Sequence, residues 1–523
     1  MNLLFQSLPI VLFVFSLEKI AKKRYNKIGI NWFYFFVKPY KLIEYGGLKM
    51  SNSNKLSARE RIASLLDDSS FVEVGAYVTS RSTDFNMQEK ENPADGVITG
   101  YGVINENLVY VYSQDVTVLN GSVGEMHAKK IAKIYDMAMK VGAPVVGLID
   151  CAGLRLQEAT DALNGFGEIY LKQTLASGVI PQITAVFGTC GGGSAIVSSL
   201  SDFTFMAKEG SKLFVNSPNA LDGNNEAKLN TAAASYHSEQ TGLTDGVFDT
   251  ELEVLGQIRQ LVDILPSCYG DETCSDCFDD INRIVPNVDG LKDDAKSVLI
   301  TIADNQTFVE LKKDFAKDMV IGFMKLNGIT VGCVANQVNE GGNALTTNGA
   351  LKAAKFVTFC DAFQIPVLTL TNCKGFAATV EEEKTVAGAV AKLTYAFANA
   401  TVPKVNVVIG DAFGTAYVAM NSKSIGADIE FAWPTAKIGT MCPTMAAKIM
   451  YADEIEKAAD KNALIKEKAA EYETLQSSAI AAAKRGYVDD VIEPDATRKR
   501  IIAAMEMLFT KREDRPSKKH GTV

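Results

Sequence analysis

The chemistry suggested by this sequence comes from glycine turns rather than from reactive side chains. Gly153-Leu154 and Gly192-Gly193 each follow an apolar run, and the chain repeats both turns as Gly375-Phe376 and Gly414-Thr415. A glycine turn from a strand into a helix leaves backbone N–H groups unpaired and lets a ligand approach closely. Two such N–H groups on one oxygen form an oxyanion hole, worth about 3–4 kcal/mol per donor. We therefore predict one oxyanion hole from each pair of turns.

The four turns belong to a stretch that occurs twice. Residues 143–194 contain two Pro-led apolar runs that end in glycine turns, and residues 365–416 repeat the pattern. The matching positions, all 222 residues apart, are Pro144 and Pro366, Gly153 and Gly375, Pro181 and Pro403, Gly188 and Gly410, and Gly192 and Gly414. A long fixed offset indicates two copies of one domain. Glycines needed only for tight packing would explain a single turn, but four turns at paired spacing favour a ligand site.

The elements that must position these turns are apolar strands alternating with amphipathic helices. This order predicts an α/β fold whose sheets are covered on both faces. The predicted elements are hairpins over 95–115 and 319–337, helices over 124–141 and 349–363, and a long helical region over 445–485. Residues 263–290 are acidic and contain three cysteines, and we interpret them as a linker. Cys274-x-x-Cys277 alone does not supply the four ligands of a structural zinc site, so no metal is predicted.

Composition excludes several classes of protein. The 523 residues are 47% hydrophobic and 22% charged, as in globular proteins, and the net charge of −9 argues against nucleic-acid binding. Most of the nine cysteines lie alone or in apolar runs, which indicates reduced thiols and a cytoplasmic location.

Residues 1–49 differ from the rest of the chain. They carry eight Lys or Arg residues against two Glu, and their apolar stretch is shorter than the roughly 20 residues of a membrane span. We interpret this leader as untranslated upstream sequence before a start at Met50, with a membrane anchor as the alternative.

Familiar side-chain motifs are missing or incomplete. Gly191-Gly-Gly-Ser194 fits neither the dinucleotide-binding pattern nor the serine-nucleophile pattern. His127 is expected to be packed or solvated within a helix. Glu125 and Glu158 are candidate acid or base groups, although an exposed helical position is the simpler expectation for both.

Further motifs carry a resemblance to a known family. They are Gly121-Ser-Val-Gly-Glu-Met-His-Ala, Leu154-Arg-Leu-Gln-Glu158, Ala176-Ser-Gly-Val-Ile-Pro-Gln182, Phe359-Cys-Asp-Ala-Phe363, Met420-Asn-Ser-Lys-Ser-Ile-Gly-Ala-Asp428 and Phe431-Ala-Trp-Pro434. From residue 50 onward the chain resembles the carboxyltransferase subunits of biotin-dependent acyl-CoA carboxylases, of the propionyl-CoA and acetyl-CoA carboxylase beta type. It equally resembles the alpha subunits of methylmalonyl-CoA and glutaconyl-CoA decarboxylases.

The resemblance implies an α/β fold of two tandem crotonase-like ββα-spiral domains. Residues 50–262 would hold the acyl-CoA, and residues 291–523 would hold biotin. Gly153, Leu154, Gly192 and Gly193 would stabilise the thioester oxygen as an enolate. The remaining implied site residues are Gly375, Phe376, Gly414 and Thr415 on the biotin ureido oxygen, and Arg155, Ala416 and Val418 on the substrate. In the implied reaction carboxybiotin releases CO2, its nitrogen removes the α-proton, and the enolate captures CO2.

The turns also depart from the family pattern. Family members usually have Asp-Ser-Gly-Gly-Ala-Arg where this chain has Asp150-Cys-Ala-Gly-Leu-Arg155. They usually have Tyr-Gly-Gly-Ala-Tyr where this chain has Phe413-Gly-Thr-Ala-Tyr417. Thr415 keeps its N–H, but its Cβ narrows the approach. Lys374 adds a charge whose purpose the sequence leaves open.

Several functions remain open at this point. The two alternatives for the transferase are the carboxylation direction and a role as part of a decarboxylase. A hydratase or isomerase of the crotonase type using Glu158, and a non-catalytic scaffold, are the alternatives. The resemblance implies coenzyme A on the substrate and biotin on a separate carrier protein, not on this chain. It also implies a biotin carboxylase or decarboxylase membrane subunits as partners, and a homo-oligomer from dimer to hexamer.

Overall fold

Two eight-stranded sheets of identical topology form the framework of the chain. The structure is a computed structural model that describes residues 55–82, 84–89, 92–271, 275–516 and 521. The two interpretations of residues 1–49 concern a segment that lies outside the described residues. In the described part, no helix is both long enough and apolar enough to cross a bilayer.

Each strand of the first sheet has a counterpart in the second. The first sheet has the order β1-β2-β3-β4-β5-β6-β8 with β7 against β5, and the second has the order β9-β10-β11-β12-β13-β14-β16 with β15 against β13. The strands are β1 Val72–Glu73, β2 Val97–Ile104, β3 Asn107–Gln114, β4 Val145–Cys151, β5 Gln182–Gly191, β6 Phe203–Ala207, β7 Lys212–Phe214, β8 Gly246–Phe248, β9 Phe308–Leu311, β10 Met319–Leu326, β11 Ile329–Asn336, β12 Val367–Cys373, β13 Lys404–Phe413, β14 Ile429–Ala432, β15 Lys437–Gly439 and β16 Asp490–Val491. The first three strands of each sheet are antiparallel and the others are parallel. The predicted hairpins and the predicted duplication are confirmed.

Helices cover the sheets. Those of six residues or more in the described part are α1 Ala58–Leu65, α2 Glu125–Val141, α3 Ala159–Ala176, α4 Gly193–Leu200, α5 Glu251–Ile264, α6 Ala295–Ile302, α7 Thr347–Ala362, α8 Val386–Asn399, α9 Gly414–Ala419, α10 Pro443–Met450, α11 Ala452–Lys457, α12 Lys461–Tyr472, α13 Ala479–Lys484 and α14 Thr497–Met507. The helices predicted over 124–141 and 349–363 are α2 and α7. The helical region predicted over 445–485 consists of four helices, because Asp460 starts a new helix as its N-cap and a π-helical turn follows α12.

Buried charged groups fasten α1 and α5 to the first sheet. The Arg61 guanidinium donates to Glu251 at 2.8 Å and lies 3.4 Å from the Asp150 carboxylate. All three residues are less than a tenth exposed. Asp150 is the second-to-last residue of β4, so these ion pairs support the chain just before the first glycine turn.

One of the buried apolar clusters spans both halves of the chain. Phe203 of β6 packs against Phe359 of α7 with ring centroids 4.7 Å apart, and Phe323 of β10 lies 6.1 Å from Phe203. The same buried cluster includes Leu255 and Ile258 of α5. Helix α5 continues through Ile264 and so includes the first two residues of the predicted linker.

Candidate active site

The two turns of the first half lie side by side. Strands β4 and β5 are parallel neighbours, and Cys151 pairs with Cys190 immediately before their ends. Gly153 has a φ of +111°, which L side chains rarely adopt, and a Cβ there would lie 3.3 Å from the Gly191 carbonyl oxygen. Glycine is therefore needed both for the backbone conformation and for the close approach of the two turns.

The adjacent turns Gly153-Leu154 and Gly192-Gly193 are called the first corner here. Their hydrogen bonds determine which backbone N–H groups remain available to a ligand. Gly192 N–H donates to the Phe214 carbonyl at 2.9 Å, because β7 pairs with β5. Gly153 N–H is directed at the Cys151 Sγ at 3.3 Å. Within the described ranges no protein acceptor is found for the N–H groups of Leu154 and Gly193. Of the four predicted residues, these two are thus the free donors.

The second half repeats the corner. Cys373 of β12 pairs with Ala412 of β13, and Gly375 has a φ of +146°. The positions equivalent to the two free donors are Phe376 and Thr415. Their N–H groups, and that of Gly375, likewise have no protein acceptor among the described residues. Thr415 and Phe376 are exposed, so the second corner is open to a ligand.

Arg155 is turned away from the open face of its corner. Its guanidinium is fully buried, pairs with the Asp95 carboxylate, and donates to Glu158 at 2.8 Å and to the Ser122 carbonyl at 2.8 Å. Burial raises the pKa of Asp95, and the adjacent Arg155 opposes that rise. In this conformation Arg155 presents no exposed donor to a substrate, and the position supports the corner from behind.

Glu158 is not an exposed helical residue, so that expectation is wrong. It ends the short 3₁₀ turn Leu156–Glu158 and is buried. Its Oε1 accepts from Arg155, and its Oε2 accepts the Glu125 N–H at 2.6 Å. Glu125 itself is half-buried and pairs with Arg81 at 2.6 Å. Both Glu158 oxygens are engaged, which does not suit a general base.

His127 is packed, as expected. Gln114 Nε2 lies 3.1 Å from its Nε2, and the Asp95 carbonyl lies 3.0 Å from its Nδ1. Burial, together with the nearby Arg155, lowers the pKa of His127 to about 3. The imidazole is therefore neutral at physiological pH, donates through Nδ1 and accepts through Nε2.

The remaining predicted substrate contacts are divided between core and surface. Ala416 is fully buried beneath the second corner, whereas Val418 is partly exposed. Lys374 Nζ lies 3.7 Å from the Asp411 carboxylate, and its N–H donates to the Asn343 side chain at 2.7 Å. The charge that the sequence left unexplained thus faces an acidic residue of β13.

One buried group at the second corner was missed by the sequence reasoning. Tyr417 of α9 donates to Glu430 at 2.6 Å, and Lys423 N–H donates to the other Glu430 oxygen at 2.7 Å. Burial raises the pKa of Glu430 to about 7. The only signal in the sequence was a glutamate inside the apolar strand β14, which favours a buried, paired carboxyl group.

Metal chemistry finds no support in the described residues. They contain no group of three or more His, Cys, Asp or Glu residues arranged to hold a metal ion. Cys277 donates through its Sγ to the Asp304 carboxylate at 3.3 Å, and Cys274 is outside the described residues.

Comparisons with known proteins identify the family. The model of the carboxyl transferase domain matches residues 49–523. The methylmalonyl-CoA decarboxylase subunit alpha of Propionigenium modestum is 41% identical over 504 residues, covering 93% of this chain and 97% of that protein. The propionyl-CoA carboxylase beta chain of Roseobacter denitrificans is 42% identical over 484 residues, covering 90% and 94%.

A solved structure confirms the fold. Transcarboxylase 12S, described as a hexamer assembly with methylmalonyl-coenzyme A and methylmalonic acid bound, superposes with a TM-score of 0.84 at 36% identity. The match covers 90% of this chain and 92% of that one. The fold is thus α/β with two tandem crotonase-like domains, as the resemblance implied. The chain belongs to the carboxyl transferase family and is an acyl-CoA carboxyltransferase of the biotin-dependent type.

Proposed function

We propose that this chain transfers a carboxyl group between biotin and the α-carbon of a short-chain acyl-CoA at its two duplicated corners. Residues 50–262 hold the acyl-CoA, residues 291–523 hold biotin, and residues 263–290 join them. The observation that supports the proposal is a set of four backbone N–H groups without a protein acceptor among the described residues. They belong to Leu154, Gly193, Phe376 and Thr415. Four donors at two equivalent corners match two ligand oxygens, one at each corner.

On the acyl side, the N–H groups of Leu154 and Gly193 hold the thioester oxygen. Negative charge develops on this oxygen when the α-carbon becomes an enolate, and donors already in place stabilise it without reorganisation. The chain needs no base of its own for this role, in keeping with a Glu158 that is fully engaged and a His127 that stays neutral. Arg155 and Glu158 support the corner rather than contact the substrate.

On the biotin side, the residues present fit a ureido oxygen. Phe376 and Thr415 supply exposed N–H groups, and a Cβ at Gly375 would meet no atom within 4 Å. Biotin, when bound, supplies the ring nitrogen that carries the carboxyl group. The methyl and hydroxyl groups of Thr415 narrow the approach without removing its donor. Ala416 and Val418 shape the floor and the wall of this corner.

We further propose that copies of this chain meet at these corners. Leu156 is 81% exposed beside the first corner, and Val380 is 79% exposed beside the second. Met445 and Ile449 of α10 add more exposed apolar surface. Exposed apolar side chains around a polar site are typical of subunit interfaces. A homo-oligomer between dimer and hexamer, working in the cytoplasm, would bring the acyl corner of one copy to the biotin corner of another.

The biotin is proposed to arrive on a separate carrier protein. The partners that load or unload it are a biotin carboxylase in one direction and decarboxylase membrane subunits in the other. Relatives named for both directions are similar to this chain to nearly the same degree. The assignment of direction therefore rests on the partners rather than on this chain.

Free biocytin provides the decisive test. The purified protein is incubated with malonyl-CoA, methylmalonyl-CoA and longer carboxyacyl-CoAs, with and without biocytin, and loss of the carboxyl group is followed by mass spectrometry. The proposal expects loss that requires biocytin. Hydration or isomerisation without biocytin would support the hydratase reading, and CoA ester binding without turnover would support a scaffold. Streptavidin labelling of the purified chain would contradict a separate carrier.

A further inference from the structure

We propose that Glu158 and Glu382 are positioning residues, one for each corner, which aim the N–H groups of Leu154 and Phe376. This inference rests on the proposed function, since it assigns a role within the same site. Neither carboxylate is assigned contact with substrate. Each acts by tying the loop that carries the donor to the start of the helix that follows the hairpin.

In the first half the tie is buried. Glu158 Oε2 accepts the N–H of Glu125, the first residue of α2, at 2.6 Å. A short parallel bridge lies beside it, in which Val123 N–H donates to Gly153 at 2.9 Å and Arg155 N–H donates to Val123 at 2.9 Å. Leu154 is held between these two bonds, so its own N–H points away from Val123 and stays unpaired.

The second half repeats the tie at a partly exposed position. Glu382 Oε2 accepts the N–H of Thr347, the first residue of α7, at 2.6 Å. Leu345 N–H donates to Gly375 at 2.9 Å, and Ala377 N–H donates to Leu345 at 3.0 Å. Phe376 is thereby held as Leu154 is held in the first half.

The spacing shows that the contact recurs although the glutamates do not align. Glu125 and Thr347 are 222 residues apart, as the corners are, whereas Glu158 and Glu382 are 224 residues apart. Glu158 ends a 3₁₀ turn 33 residues beyond its partner N–H, and Glu382 lies in the four-residue helix Val380–Glu383, 35 residues beyond its partner N–H. Glutamates at different positions along the chain therefore make the same bond, from a carboxylate oxygen to the first N–H of the helix, in both halves.

Helix capping alone does not account for Glu382, although Glu158 also caps α2, whose N-cap residue Gly124 has no side chain. The Thr346 side chain already caps α7 by accepting from Gly349 N–H at 2.9 Å. Ala159, directly after Glu158, has a φ of +44° and a ψ of −114°, a strained conformation for a residue with a Cβ. Strain of this kind persists where surrounding bonds enforce a required geometry. The feature common to both glutamates is the loop that carries a free donor.

The test separates aiming from folding by using ligands that differ only in the carbonyl oxygen. Propionyl-CoA and its thioether analogue S-propyl-CoA are titrated against wild type, Glu158→Ala, Glu158→Gln, Glu382→Ala and Glu382→Gln. Kinetics with biocytin are measured on the same preparations. Exposed neighbours provide matched controls, Gln157→Ala and Glu383→Ala.

Glu158→Ala is expected to reduce the preference for thioester over thioether by about 10–100-fold, because a donor displaced by about 1 Å loses most of its effect. Its KM for biocytin should be unchanged. Glu382→Ala should show the opposite pattern, a reduced kcat/KM for biocytin with the thioester preference retained. Glutamine keeps one acceptor oxygen, so the Gln variant at either position should retain most of the wild-type value. Glu158→Gln also keeps the test usable if Glu158→Ala folds poorly.

The outcomes are distinguishable. If the variants lose thermal stability but keep the wild-type thioester preference and biocytin kcat/KM, the glutamates are structural and this inference is overturned alone. If wild type itself shows no thioester preference, the proposed acyl corner is wrong, and the inference is overturned with it.

Discussion

Replacing Thr415 by proline removes one backbone N–H from the second corner and should leave the fold intact. Thr415 is the second residue of α9, in the first turn, where proline is tolerated because no helical hydrogen bond is lost. Its side chain is exposed, and its N–H has no protein acceptor in the described part of the chain. The free energy of unfolding should therefore change by less than about 1 kcal/mol.

Activity should respond much more strongly than stability. Removal of a single donor from an oxyanion hole lowers kcat by about 10²–10³, equivalent to about 2.7–4 kcal/mol. The assay is biocytin-dependent decarboxylation of methylmalonyl-CoA, with urea unfolding of the same samples. Thr415→Ala keeps the N–H and should retain activity, and Thr415→Gly, which also removes the Cβ, should bind biocytin at least as well as wild type.

The comparison between proline and alanine is decisive. If Thr415→Pro is folded and its kcat/KM for biocytin is within a few-fold of that of Thr415→Ala, the N–H does not act on the ligand and the reasoning fails. If Thr415→Ala is as inactive as Thr415→Pro, the side chain rather than the backbone carries the effect.

Three further predictions concern stability. The carboxyl group of Glu430 has a pKa raised from 4.5 to about 7, so the folded state binds its proton more tightly than the unfolded state does. Proton binding by Glu430 therefore adds about 3 kcal/mol to the free energy of unfolding below about pH 4.5, and this contribution is lost as the pH rises to about 7. Glu430→Gln should flatten the decrease in the free energy of unfolding, measured in urea, across this pH range. A Cβ at Gly188 would lie 1.9 Å from the Asp150 carboxylate, so Gly188→Ala should destabilise by about 1–3 kcal/mol or more in urea unfolding. Gly167→Ala, in α3 with open space around it, should instead stabilise by about 0.5–1 kcal/mol, and an equal effect of the two changes would contradict the steric argument. Arg61→Met removes the charged partner of the buried Glu251 carboxylate, whereas Asp150 keeps its ion pair with Lys55 at 2.8 Å. The change should cost about 3–5 kcal/mol, which a wild-type melting temperature would disprove.

The strands and the location of the corners were predictable because they depend on local patterns. Pro-led apolar runs and glycine turns recur at one offset, and parallel neighbours then bring the turns together. The identity of the free donors was not predictable. Gly192 loses its N–H to Phe214 only because β7 pairs with β5, and three residues of β7 give no clear strand signal.

The orientation of the charged side chains at the first corner could also not be predicted from the sequence. Arg155 and Glu158 are buried because Asp95 and the start of α2 lie against them, and these contacts join segments 33 to 60 residues apart. A sequence shows such residues as charged positions next to a turn, which favours a surface or substrate role. Only the packing of the hairpin and α2 around the turn reverses that interpretation.

The shared aromatic packing of Phe203, Phe323 and Phe359 has a consequence for the history of the chain. A single unit expressed alone would leave these rings in water and would be driven to associate with a second copy. The same packing leads us to expect that an unduplicated ancestor of the chain paired two identical polypeptides. Fusion would make such a pairing permanent and leave the two halves free to diverge in sequence.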